Sequence, residues 1–231
     1  MEQNTPGKSE IESNRQHLKN LTEIRSLMER SSSFISLSGL SGISAGIMGL
    51  VAAYILHIKL FRFMDYSKSP MISAQMREEF ILFGITVSAA VLIITFLAAI
   101  FFTARKAKKN GYPVWDGSAK RLVVNLFIPL VTGGVFCLIL IYQYFDWLVL
   151  PSMLVFYGLA LLNAGKFTLS EIKWLGVSEI ALGLVSMLFL NDAIYFWGAG
   201  FGLLNIIYGL VMYFKYEKNN NNNCINSKMA A

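Results

Sequence analysis

Between residues 34 and 58 the chain carries no Asp, Glu, Lys or Arg. An uncharged apolar run of about 18 residues or more is the signature of a helix that crosses a membrane. Roughly 20 residues at 1.5 Å rise match the ~30 Å hydrocarbon layer, and a helix satisfies its own backbone polar groups there. Five further apolar segments follow, over about 80–104, 122–142, 148–165, 174–190 and 193–214. The pattern predicts an all-α membrane protein with six transmembrane helices in three hairpins.

Composition agrees with lipid as the main solvent. Charged residues make up 15% of the chain, against about 25% in an ordinary soluble domain. The first apolar run is too long for the h-region of a cleavable signal peptide and reads as a span.

Three regions follow. Residues 1–33 form a cytoplasmic amphipathic segment. Ser9 and Glu12 fit a capping box, and Ile11, Leu18, Leu21, Ile24, Leu27 and Met28 share one broad helical face. Such a helix lies on the membrane surface or packs on the protein's own loops. Residues 34–214 form the transmembrane domain. Residues 215–231 form a cytoplasmic tail whose polar run from Asn219 to Asn223 predicts disorder.

Loop charges set the orientation. Arg105, Lys106, Lys108, Lys109, Lys120 and Arg121 fall between the second and third spans, and Lys166 and Lys173 follow the fourth. The opposite side carries only Lys59, Arg62, Lys68 and Arg77. The bias places both termini in the cytoplasm. Tyr142, Tyr144, Phe145, Trp147, Tyr195, Phe196 and Trp197 are expected to form the outer aromatic belt.

Two constellations stand out within the spans. Gly39, Gly42, Gly46 and Gly49 recur at intervals of 3, 4 and 3 and lie on one helical stripe. Small residues let helix backbones approach closely in lipid. The stripe is expected to pack within the chain, against the second span, and it also offers a surface for a homo-oligomer or a membrane partner. The second constellation is polar: Glu179, Asn125, Asn163 and Asn205, all expected in the cytoplasmic half of the bilayer. A charged carboxylate costs roughly 2.5–3.5 kcal/mol at the centre of a membrane helix on insertion scales, so it faces protein or water. These four residues form either a polar cavity for an ion, proton or small solute, or interhelical hydrogen bonds. Pro129 in the third span either kinks a helix beside this site or is one of the prolines common in membrane helices. Gly158 lies off the stripe and is expected to tolerate a larger side chain better than Gly42 or Gly46.

Catalytic chemistry finds little footing. The two histidines, His17 and His57, are expected on opposite sides of the membrane. No His-Glu-x-x-His, Cys-x-x-Cys or phosphate-binding Gly-rich loop occurs. No catalytic, cofactor-binding or metal-binding residue is assigned, and no cofactor is expected. The basic run at 105–109 is juxtamembrane and suits anionic lipid head groups rather than nucleic acid.

The stretch Ile24-Arg25-Ser26-Leu27-Met28-Glu29-Arg30-Ser31-Ser32-Ser33-Phe34-Ile35-Ser36-Leu37-Ser38-Gly39-Leu40-Ser41-Gly42 resembles the start of a group of uncharacterised bacterial multi-pass membrane proteins. There a charged Met-Glu-Arg-Ser-Ser stretch leads straight into a Ser/Gly-rich first helix. The resemblance covers this junction alone. It implies a bacterial inner-membrane protein and adds no catalytic residue. The sequence reading is a non-enzymatic inner-membrane protein with a sensory, regulatory or assembly role. The alternative is a small transporter or channel subunit using a polar site around Glu179.

Overall fold

The computed structural model of the chain describes Gln16 and residues 39–66, 74–109 and 117–218. The capping box, the rest of the amphipathic segment, the first residues of the first span and the tail beyond Lys218 lie outside the described residues. Among the described residues the structure is helical, with no strand.

Among the described residues from 39 to 218, six helices follow in order. They are α1 (Gly39–Tyr66), α2 (Ala74–Lys109), α3 (Gly117–Tyr142), α4 (Val149–Ala164), α5 (Ser170–Leu188) and α6, which covers 193–218. Short 3₁₀ turns, Asp146–Leu148 and Leu190–Asp192, lead into α4 and α6. The helix α6 is composite. Ala193–Gly198 is α-helical, Ala199–Leu204 is π-helical, Asn205–Met212 is α-helical again, and Tyr213–Lys218 is a second π stretch. The predicted tail boundary at 215 therefore falls inside a helix.

Among the described residues, five helical stretches are long and apolar enough to cross a membrane: Gly39–Leu60, Met76–Arg105, Ala119–Tyr142, Asp146–Ala164 and Leu190–Lys215. This marks the chain as a membrane protein. The helix α5 is not among the five, because Glu171, Lys173 and Glu179 interrupt its hydropathy. It begins four residues before the predicted start at 174. Its 19 residues still extend ~28 Å.

Helices consecutive in the chain, and α1 with α6, run antiparallel. Gly39 of α1 meets Gly209 and Tyr213 of α6, and Gly49 meets Phe201 and Gly202. The C-terminal half of α1 reaches the start of α6, where the His57 and Tyr195 rings lie 5.3 Å apart. Along α4 and α5, Gly165 meets Lys173, Gly158 meets Gly176, and Gly183 meets Leu154 and Val155. On α3 and α4, Phe156 nests on Gly133, and the Asn163 amide donates to the Asn125 main-chain oxygen at 3.0 Å. Pro129 sits inside α3, which continues through it from Gly117 to Tyr142.

The core forms where α1, α4 and α6 converge, around Ala52, Leu56, Leu154, Ile194 and Trp197. Phe83, Val87 and Val91 bring α2 onto its edge. Outward faces are apolar, with Leu82, Leu97, Val131, Leu138 and Leu184 all more than half exposed. In water such a surface would aggregate; in a bilayer it is the solvated surface. Of the expected aromatic belt, Tyr142, Tyr144, Phe145, Trp147 and Tyr195 are exposed. Trp197 departs from it, being only 3% exposed and part of the core. The inward face of α6 at this point is set by helical phase, which a belt read from residue type alone ignores.

One polar contact ties α2 to the turn after α3. Arg77 donates from Nε and Nη2 to the two oxygens of Asp146, both at 2.7 Å, and from Nη2 to the Ile141 carbonyl at 2.9 Å. Its guanidinium lies 4.2 Å from the Tyr144 ring centroid. Tyr144 sits at φ 66°, in the left-handed region. At the opposite ends of the bundle, Lys215 of α6 pairs with Glu171 of α5.

Candidate buried polar site

The two constellations read from the sequence occupy different interfaces. All four stripe glycines face α6. A Cβ on Gly39 would lie 2.6 Å from the Gly209 carbonyl oxygen, one on Gly42 3.1 Å from Gly209 Cα, and one on Gly46 2.6 Å from the Gly202 carbonyl oxygen. At Gly49 it would collide with the main chain of Phe201. Real Cβ atoms do not approach a backbone as closely as they would at Gly39, Gly46 and Gly49, so glycine is required at these three, and at Gly42 a Cβ would fit only if the facing backbone gave way by a few tenths of an ångström. The expected partner was the second span; the observed partner is the sixth. The reason is complementarity, since α6 presents Gly202 and Gly209 one above the other with Asn205 between them, whereas α2 offers Phe83, Val87 and Val91. The stripe that offered itself for association between chains is thus covered by the chain's own α6.

Glu179 stands at the midpoint of α5, with nine helical residues on either side, rather than near the N-terminal end of its span. It is 0% exposed. Its carboxyl rests against Gly200, where a Cβ would collide with both Glu179 Oε2 and Leu154 Cδ2. The contact falls in the first π stretch of α6, a geometry that recurs at functional sites. Neither carboxyl oxygen has a hydrogen-bond partner among the described residues.

The surrounding polar groups form a short chain. The Tyr157 hydroxyl, from α4, donates to Asn205 Oδ1 at 3.0 Å. Asn205 Nδ2 donates to the carbonyls of Gly200 and Phe201 at 3.2 and 3.3 Å. These carbonyls belong to the π stretch, so the Asn205 side chain braces the widened turn from within its own helix. The Tyr157 ring stacks on Phe201 at 4.7 Å, and Phe201 lies 4.9 Å from Trp197. Two further core groups have no partner among the described residues: Trp197 Nε1 and Ser186 Oγ.

Of the four predicted polar residues, Glu179 and Asn205 come together at Gly200. Asn163 and Asn125 do not join them. Asn163 lies six residues beyond Tyr157 along α4, ~9 Å of rise, and its amide is committed to α3. The Asn125 amide bonds back to the Arg121 carbonyl at 2.8 Å. Both are interhelical or local tethers toward the start of α3 and the end of α4.

Tyr157, Gly200 and Ser186 escaped the sequence reading, and Trp197 was expected in the aromatic belt rather than at this site. One signal for part of this set exists. Gly176, Glu179, Gly183 and Ser186 repeat the 3, 4, 3 spacing of the α1 stripe, and all four are buried. Gly158, expected to tolerate enlargement, faces the first of them: a Cβ there would lie 2.6 Å from the Gly176 carbonyl oxygen. Nothing local marks Tyr157 or the π stretch.

A sealed carboxyl without a partner has two chemical options. It is neutral, or it meets a cation, since an isolated charge in a low-dielectric interior is prohibitively costly. Among the described residues no three His, Cys, Asp or Glu side chains cluster as a metal site would require. Comparison with protein-family models, with curated proteins and with solved structures found no match to this chain.

Proposed function

We propose that this chain is a bacterial inner-membrane protein that crosses the bilayer six times in three hairpins, with both ends in the cytoplasm. We further propose that it serves non-enzymatically, in a sensory, regulatory or assembly role. The six-span layout is supported by α5, which runs antiparallel to α4 from the Gly165–Lys173 contact to the Leu154–Gly183 contact and so covers the same depth. The orientation is supported by the basic residues gathered where α2 ends and α3 begins. With the glycine stripe engaged by α6, a homo-oligomer or membrane partner would meet the apolar faces of α2 and α3.

The observation that carries the functional reading is the closed packing around Glu179. Leu154, Glu179 and Ser186 are all 0% exposed, and glycine-mediated contacts join α1 to α6 and α4 to α5. A dry bundle of this kind suits a protein that responds through helix packing. The second reading, a small transporter, draws on the unpartnered oxygens of Glu179 beside a π stretch. Flux separates the two. Purified protein in vesicles, under an imposed proton gradient, should pass protons no faster than protein-free vesicles. A flux that Glu179→Gln removes would establish transport instead. Topology is checked by single cysteines in a background without Cys137 and Cys224. Ser69→Cys and Gln143→Cys should react with an impermeant reagent from outside, and Lys109→Cys and Asn220→Cys should not.

A further inference from the structure

We propose that Glu179 is a reversible proton-binding site, and that gain or loss of its proton resets the π-helical stretch of α6 on which the carboxyl rests. The proposal rests on the sensory reading above and names its signal.

Three observations lead there. The first is space. Glu179 is fully buried, and even a Cβ on Gly200 would collide with its Oε2. A hydrated ion or organic solute has no room at this contact, whereas a proton needs none.

The second is the inventory of donors. An ionised carboxylate in a core needs hydrogen bonds. Asn205 Nδ2 is committed to the Gly200 and Phe201 carbonyls, and the Tyr157 hydroxyl is committed to Asn205 Oδ1. Among the described residues the uncommitted donors of this core are Ser186 Oγ, about 10 Å of helical rise from Glu179, and Trp197 Nε1, three residues before Gly200 on α6 where the carboxyl rests. Among the described residues no cation stands beside the carboxyl. From Ala193 to Met212, α6 has no charged side chain; its hydroxyls are those of Tyr195, which is exposed, and Tyr208, a turn beyond Asn205. From α4 the titratable group is Tyr157. On α5 itself Glu171 and Lys173 lie at the inner end, and Glu171 is paired with Lys215.

The third is the element that must move. A π turn carries one residue more than an α turn, so a return to α geometry rotates the preceding segment by ~100° about the helix axis. The preceding segment holds Trp197. The π stretch is therefore a two-state element in contact with the titrating group, with the needed donor on its moving side. On release, the carboxyl O–H bond breaks, the electron pair stays on the carboxylate, and the proton passes to water admitted as the α5–α6 contact loosens. Uptake is the reverse.

Trp197 itself provides the readout. With Trp115, Trp147 and Trp174 replaced by Phe, the full-length protein in phospholipid nanodiscs retains one indole. Its emission maximum and its quenching by acrylamide are followed from acid to alkaline pH. The expected result is a single-proton transition to red-shifted, more quenchable emission as pH rises. Glu179→Gln should stay flat at the acid-side value, and Glu179→Asp should keep a displaced transition. An unchanging emission with Glu179 present, or the same transition in Glu179→Gln, would overturn the proposal. If Glu179→Gln does not fold, Glu179→Met serves in its place and should likewise be flat. Failure here is distinguishable from failure of the regulatory reading. A flat Trp197 titration in protein that passes no protons sinks the proton site alone. A Glu179-dependent flux sinks the regulatory reading and leaves the site standing.

Discussion

Two helices in this bundle carry buried stripes with the same 3, 4, 3 spacing, and they serve different ends. On α1 the stripe is Gly39, Gly42, Gly46 and Gly49; on α5 it is Gly176, Glu179, Gly183 and Ser186. Both lie against antiparallel neighbours, and at Gly39, Gly46 and Gly49 of the first and at Gly176 and Gly183 of the second an added Cβ would collide with the facing helix. The first is glycine throughout, and its job is complete once two backbones touch. The second interrupts the same geometry with a carboxyl and a hydroxyl that gain no hydrogen bond from the described residues. Close packing alone would be served better by Gly or Ala at position 179. The carboxyl is therefore a cost to stability that packing does not explain, which is the usual mark of a residue retained for function.

The largest expected effects come from filling either crossing. Gly46→Leu and Gly158→Leu should each cost at least about 3 kcal/mol or prevent folding, because a large side chain must enter a backbone contact. Thermal unfolding in detergent would show it. Should Gly158→Leu melt like the wild type, the two stripes are not equivalent as packing devices.

The next effect has the opposite sign. Glu179→Met keeps an unbranched chain and removes two buried acceptors that lack partners. It should stabilise the protein by about 1–3 kcal/mol, the cost of an unsatisfied buried polar group. A lower melting temperature would mean that Glu179 is held by interactions that Met cannot replace, and the contrast between the stripes would fail.

A smaller loss is expected outside both stripes. Arg77→Ala removes the bidentate contact to Asp146 and the bond to the Ile141 carbonyl, but both side chains are partly exposed, so about 1 kcal/mol is at stake. Smallest of all, Gly134→Leu should leave the melting temperature unchanged. A Cβ at Gly134 meets nothing within 4 Å, and the new side chain would enter lipid. A large loss there would reveal a partner on that face of α3.

Much of the architecture was legible because lipid imposes a strong, local rule. Hydropathy over a helix length located α3, α4 and α6 within a few residues. It failed at the start of α5 because Glu171 and Lys173 sit in the first turn, where they reach beyond the apolar stretch. The α1 stripe was legible from spacing alone. Its partner was not, since which helices touch is a tertiary property. The complementary Gly202, Asn205 and Gly209 were the available clue. At the candidate site the sequence exposed Glu179 and Asn205 as costly residues in apolar surroundings. It gave no hint of the π stretch, a backbone register that no residue type announces. It also grouped Asn125 and Asn163 with Glu179 by depth, when the faces of α4 keep them apart.

The central claim is that Glu179 is sealed inside the bundle at the middle of α5. Glu179→Cys, in a background with Cys137→Ala and Cys224→Ser, tests it directly through reaction with a small, membrane-impermeant thiol reagent applied to both sides of the membrane. Tyr144→Cys, at a position that is 68% exposed, sets the rate for open access. The account predicts that the cysteine at position 179 stays unmodified from either side while the one at position 144 reacts fully. Modification of position 179 at a rate comparable to position 144 would show that water reaches the middle of α5, and would contradict a closed site.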